Sequence, residues 1–312
     1  MDRQYFKNLW SLKGYGLLAV FLSMLYLVLT SLLVGLRTEH WLIVCIFNFC
    51  FFLNPKTRKF ILAFTIFFVF GILYDLMKAW PNYQVNHVDI SALYHFEQTT
   101  FGFFRNGHLL TPSEFFAQYH TSFLDFLSGL FYINWIPVPL AFAAYLYLTD
   151  KQQFLYFSLT FLLVNIIGFC IYYIHPAAPP WYVGQYGFEF NSSVPGNTAG
   201  LARFDNLVNL PVFESIYSRN SNVFAALPSL HSAYPVVVFY YTVKSKLGRI
   251  TWLMGLFMVG IWFSAVYSGH HYVTDVIAGI ICAGAGILLF KKFLLKIDVF
   301  KRWVDNYILI IT

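Results

Sequence analysis

The residues whose types and spacing suit chemistry are two histidines and an aspartate set at the mouths of apolar runs. His231 lies in "ALPSLHS" (226–232), and His271 and Asp275 lie in "GHHYVTD" (269–275). On a helix, residues four apart stack on one face, so His271 and Asp275 are expected within reach of each other. A carboxylate bonded to one ring nitrogen fixes the tautomer and makes the other nitrogen a better base or nucleophile. His231 supplies a second imidazole. One histidine attacking and one protonating a leaving oxygen suffice for phosphoryl transfer without a metal. Ser229, together with free backbone N–H groups at the two helix starts, is expected to hold phosphate oxygens.

The elements that carry these groups are greasy. The 312-residue chain is 59% hydrophobic, 21% aromatic and only 11% charged, against roughly 25% charged in soluble domains. This excludes an ordinary soluble enzyme and predicts an all-α, polytopic transmembrane helical bundle of six to eight spans. Apolar segments fall at 15–36, 40–53, 60–79, 127–148, 154–174, 232–246, 250–268 and 272–290. The second and sixth are short of the roughly 20 residues a crossing helix needs. The net charge of +6 would suggest nucleic acid in a soluble protein, but its placement points to topology instead. With the N-terminus inside, Arg37, Lys78, Arg105, Arg203 and Arg219 fall outside, and the remaining fifteen of the 20 Lys and Arg, Arg3 and Lys7 among them, fall inside. The positive-inside rule then puts both termini in the cytoplasm.

No cleavable signal peptide is read, the first apolar run being too long for a signal core. Cys45, Cys50, Cys170 and Cys282 sit in apolar runs with no metal or disulfide spacing, so they are expected as small core residues. Two outside stretches are long. In 80–126, "SEFFAQYHTSFLDFL" (113–127) reads as an interfacial amphipathic helix with Ser113 as its cap, and the loop's histidines read as surface residues. The stretch 175–230 is rich in Gly, Pro and Asn and suits a functional loop. Given this topology, "HPAAPPWY" (175–182), "PSLHS" (228–232) and "GHHYVTD" all start or end spans on the same side. They are expected to meet in one pocket. Asp75, near the outer end of the third run, is a further intramembrane carboxylate that either pairs with the cleft or reaches the interface.

Pro228-Ser229-Leu230-His231 followed by His271-Tyr272-Val273-Thr274-Asp275 resembles the second and third signature motifs of the type-2 phosphatidic acid phosphatase superfamily. The basic first motif is missing, since no Lys or Arg lies between Lys151 and Arg203, and Ala265 stands where the third motif has arginine. "APPWY" (178–182), "GLARFD" (200–205), "ALPSLHS" and "HHYVTD" together resemble the inositol phosphorylceramide synthases and their bacterial relatives, with "LFYINWIPVP" (130–139) a weaker echo. The resemblance covers roughly residues 125–285 and implies a six-helix catalytic core. It also implies His271 as nucleophile, Asp275 as its orienting carboxylate and His231 as general acid and then base. Arg203 is the candidate to replace the missing phosphate-gripping cations. His270 is an adjoining candidate, and Trp181 and Tyr182 are candidates for a wall of the head-group pocket.

The expected organisation is N-terminal helices over 1–80, an extracytoplasmic interfacial segment over 81–126, a catalytic core over 127–290 and a basic cytoplasmic tail over 291–312. The expected activity moves phosphoinositol from phosphatidylinositol to ceramide or a related sphingolipid, through a phospho-histidine and with release of diacylglycerol. No cofactor or metal, and no nucleic-acid partner, is expected. The active site would face the periplasm of a bacterium or the Golgi lumen of a eukaryote. Two alternatives stand beside this reading: a lipid phosphate or polyprenyl diphosphate phosphatase, and a lipid transporter or scaffold without activity.

Overall fold

A computed structural model describes residues 12–218 and 222–312; Arg3, Lys7 and Arg219 lie outside the described residues. The chain begins with α1 (Leu12–Leu33), α2 (Thr38–Leu53) and α3 (Pro55–Leu76). Asn54 starts α3 by accepting from the N–H groups of Lys56 and Thr57 at 2.9 and 3.0 Å, with Pro55 at the first helical position, where a missing N–H costs nothing. A membrane-flank region follows: α4 (Ser91–Phe101), a hairpin of β1 (Phe103–Arg105) and β2 (His108–Leu110), and α5 (Pro112–Gln118). The expected single helix over 113–127 is two. Thr111 rather than Ser113 caps the first, in a capping box with Glu114. Thr121 caps the second, α6 (Ser122–Tyr132). The hydroxyls of Thr111 and Thr121 sit one residue before the first turns they cap, which Ser113, already inside a turn, does not.

α6 and α7 (Pro137–Thr149) are bent by 45° against each other at a short break. Pro137 and Pro139 remove the N–H donors that would carry the helix through. α8 (Lys151–Ile174) is the central helix, capped by Asp150 and packed against α3, α7, α12 (Leu230–Lys244) and α14 (Val273–Lys292). Between α8 and α12 lie α9 (Pro180–Tyr186), α10 (Ala202–Val208) and α11 (Val212–Tyr217); α13 (Arg249–Tyr267) precedes α14. Among the described residues five helices are long and apolar enough to cross a membrane, six if the bent pair is one span. α2 and α12, with 16 and 15 residues, are shorter. These apolar helices make the chain an integral membrane protein.

Polar groups inside the bundle are paired across helices, as a lipid setting demands. Tyr234 donates to Asn165 Oδ1 at 2.5 Å, and the hydroxyls of Tyr241 and Thr160 lie 2.8 Å apart. Phe64, Phe67, Phe70, Phe154 and Phe161 pack ring against ring between α3 and α8. Of the cysteines only Cys282 is a buried core residue; Cys45 and Cys170 are exposed on the outside of their helices, where a thiol is as compatible with lipid as with a core. The expected tail is in fact an amphipathic helix, α15 (Asp298–Ile311). Its Val304 and Ile311 are buried, and Tyr307 donates to the Leu62 carbonyl at 2.6 Å, which seats the helix on α3.

Candidate active site

One end of the bundle gathers the segments expected to meet. Ser229 caps α12, placing His231 in its first turn. Gly269, at φ +74°, takes the left-handed conformation that turns the chain from α13 into His270 and His271. The two segments are tied directly: the Ser229 N–H donates to the Asp275 carbonyl at 2.9 Å, and the His271 N–H donates to the Ala265 carbonyl at 3.0 Å. His231 Nδ1 and His271 Nε2 thereby stand 3.0 Å apart, within hydrogen-bond distance.

His271 precedes α14 instead of lying on it, so helical stacking does not set its relation to Asp275. Its Nδ1 is 3.5 Å from Asp275 Oδ2, an ion-pair separation rather than a hydrogen bond. The same Oδ2 accepts from the Tyr272 N–H at 2.8 Å. Burial pushes the His271 imidazole down to about 4 and that of His270 to about 3, the nearby His271 adding to the second shift. Both rings are therefore neutral near pH 7, the state a nitrogen nucleophile needs.

These histidines line a cavity of about 430 Å³. Tyr132 and Trp135, from the "LFYINWIPVP" stretch, pack on the His231 ring at 5.1 and 4.6 Å. Trp181 forms part of the wall, and Phe70, Leu230 and Tyr234 make an apolar side. His270 also reaches the cavity, but its Nε2 is 2.9 Å from the Thr198 carbonyl and its ring stacks on Tyr217 at 4.3 Å.

Three expected binding residues are placed elsewhere. Arg203 Nε donates to Asp125 Oδ1 at 2.6 Å, and Asp125 also accepts from the Tyr267 hydroxyl at 2.8 Å. Arg203 lines a separate cavity of about 250 Å³, because the buried Asp125 carboxylate claims its guanidinium. Tyr182 is fully buried, donating to the Glu189 carbonyl at 2.7 Å and packed on Phe224. Ser229 is also fully buried, its hydroxyl accepting from the Ser232 N–H at 3.3 Å. At the start of α14 the N–H groups expected to hold phosphate are likewise occupied. Glu97, fully buried, accepts from the Val273 and Thr274 N–H groups at 2.9 and 3.0 Å, and from the Thr274 hydroxyl.

Glu97 was missed in the sequence because it acts across 176 residues. Its one signal was a carboxylate in an aromatic-rich stretch. Asp75 pairs with Arg37 and His40 and lines the histidine cavity together with Arg37. Among the described residues no group of three or more His, Cys, Asp and Glu is arranged to hold a metal ion.

A helical membrane bundle with two imidazoles in contact on a largely apolar cavity is an arrangement suited to lipid phosphoryl transfer. The chain belongs to the PAP2 superfamily, whose model matches residues 108–289, and within it to the inositol phosphorylceramide synthase-like members. It is 46% identical, over 95% of its length and 97% of the relative's, to the phosphoinositol dihydroceramide synthase of Bacteroides thetaiotaomicron. It is 30% identical to the inositol phosphorylceramide synthase of Candida albicans over 76% of this chain and 49% of that protein. With the catalytic subunit of that synthase from Saccharomyces cerevisiae it shares 27% identity, over 84% of this chain and 66% of the relative. No solved structure matches the chain.

Proposed function

We propose that the chain transfers phosphoinositol from phosphatidylinositol to the primary hydroxyl of ceramide or a related sphingolipid such as dihydroceramide. The observation that carries this reading is the 3.0 Å contact between His231 Nδ1 and His271 Nε2 in a cavity with one apolar side, in a chain with the relatives above. The Nε2 lone pair of His271 attacks the phosphorus, forming an N–P bond as the P–O bond to diacylglycerol breaks. His231, protonated once the anionic phosphodiester lies beside it, gives its proton to the departing oxygen. The phosphorylated imidazole keeps its Nδ1 proton, and the Asp275 carboxylate offsets the positive charge. Neutral His231 then takes the proton of the lipid hydroxyl, whose oxygen attacks phosphorus and expels His271. The aromatic walls exclude water, which separates transfer from hydrolysis.

In this reading the core over 127–290 carries the chemistry, and the N-terminal helices over 1–80 and the segment over 81–126 close the cleft. The cleft faces the extracytoplasmic side with both termini inside, supported by the excess of Lys and Arg on the opposite loops. Labelling His108→Cys with a membrane-impermeant maleimide in intact cells tests that sidedness; protection until lysis overturns it. The activity is tested by giving purified protein phosphatidylinositol plus ceramide, or phosphatidic acid alone. Head-group transfer in the first and an acid-labile phospho-histidine without acceptor are expected. Release of inorganic phosphate from phosphatidic acid with no transfer overturns the proposal.

A further inference from the structure

The histidine cavity has a second polar wall, built from the N-cap of α2 and the end of α3 and lying outside the residues matched by the family model. Arg37, at the N-cap of α2, and Asp75, in the last turn of α3, both line it. Among the described residues Arg37 is the only lysine or arginine that does. The pair is held in place. Arg37 Nη2 donates to Asp75 Oδ1. His40, buried, has Nδ1 accepting from the Arg37 backbone N–H at 3.1 Å. An accepting Nδ1 puts the proton of the neutral ring on Nε2, which therefore donates to Asp75 Oδ2 at 3.1 Å.

Each Asp75 oxygen thus has one donor and one lone pair to spare, and of the five guanidinium donors Asp75 takes one on Nη2 while Nε lies 3.4 Å from Glu39 Oε1. Charged groups at membrane depth are costly and mark function when they face a cavity. A carboxylate with two free acceptor positions matches neighbouring ring hydroxyls, and a guanidinium beside it matches a phosphate oxygen. Resting on the function proposed above, we infer that Arg37 and Asp75 form the head-group subsite. Arg37 binds an oxygen of the phosphodiester, Asp75 accepts from two ring hydroxyls of the inositol, and His40 positions the Asp75 carboxylate. This wall supplies the cation that the missing first-motif residues and the diverted Arg203 do not.

The test uses the purified full-length protein in mixed micelles, with phosphatidylinositol or phosphatidylglycerol as donor and ceramide as acceptor. Asp75→Asn and Arg37→Gln are each expected to raise KM for phosphatidylinositol at least tenfold. KM for ceramide should stay within twofold, and Arg37→Lys should recover part of the loss. Asp75→Asn should also reduce the preference for phosphatidylinositol over phosphatidylglycerol by a similar factor. A uniform loss of kcat with both KM values and the donor preference unchanged identifies a mere staple between α2 and α3 and overturns the inference. A second measurement on unmutated protein does not depend on the variants folding. Phenylglyoxal modification of Arg37, read by mass spectrometry, should slow at least fivefold with inositol 1-phosphate and less with glycerol 3-phosphate; equal or no protection overturns the inference. Absence of any transfer by unmutated protein would fail the function reading itself, a result distinct from active protein with indifferent variants.

Discussion

The backbone N–H of Ser229 donates to the carbonyl of Asp275 at 2.9 Å, so the cap of α12 is fastened to the first turn of α14. Gly279, one turn further along α14, lets the helices approach this closely: a Cβ there would lie 2.2 Å from the Ser229 carbonyl oxygen. That single crossing sets the separation of His231 and His271.

Gly279→Ala is therefore expected to push α12 from α14 and misalign the imidazoles. Overpacking of this kind costs about 1–3 kcal/mol. The thermal midpoint should fall and transfer activity should drop at least tenfold, whereas Gly284→Ala, which meets open space on the same helix, should change neither. Thermal unfolding and transfer assays on the two variants check this.

Asp275→Asn separates charge from structure. An amide oxygen still accepts from the Tyr272 N–H, so the thermal midpoint should change little. The acidic group 3.5 Å from His271 Nδ1 is lost, and kcat is expected to fall on the order of 10³-fold, within the range of general acid–base effects. Melting curves and steady-state kinetics on one preparation decide whether stability and rate part company.

Glu97→Ala removes the acceptor for the Val273 and Thr274 N–H groups. Leaving buried donors unsatisfied costs about 1–3 kcal/mol. Amide exchange at the start of α14 should quicken and activity should fall with it. Unaltered protection of those two amides would show that Glu97 does not cap the helix.

Acid should act late on the chemistry and earlier on stability. Burial holds the His271 imidazole near 4, below its usual value of 6.5, so the fall in kcat/KM for the donor that protonation of the nucleophile causes should be centred near pH 4. Between those two pKa values the unfolded chain binds more protons than the folded one, so stability declines as pH drops from 6.5 toward 4. An acid limb centred at 6.5 in the pH–rate profile would show that the ring is solvated.

Much of this was legible in the chain. The apolar runs appear as helices near their expected positions, the second and sixth short. The motifs at 228–231 and 271–275 meet at one end of the bundle. What was misplaced shares one cause. Arg203 looked free to grip phosphate, but Asp125 holds it. Ser229 and the amides that start α14 looked free to bind an anion, but Ser232 and Glu97 occupy them. Asp75 was visible as a costly carboxylate, while Arg37 read only as an outside cation and His40 was not singled out.

By itself the sequence determined the solvent the chain requires, the spans, their ends and the acid–base groups at those ends. These follow from hydropathy and from spacing within a few residues, both local properties. Only the tertiary structure decided which polar groups spend their hydrogen bonds on the protein and which face the cavity. In a lipid setting every buried donor takes whatever acceptor the packing brings near, and that partner can lie well over a hundred residues away.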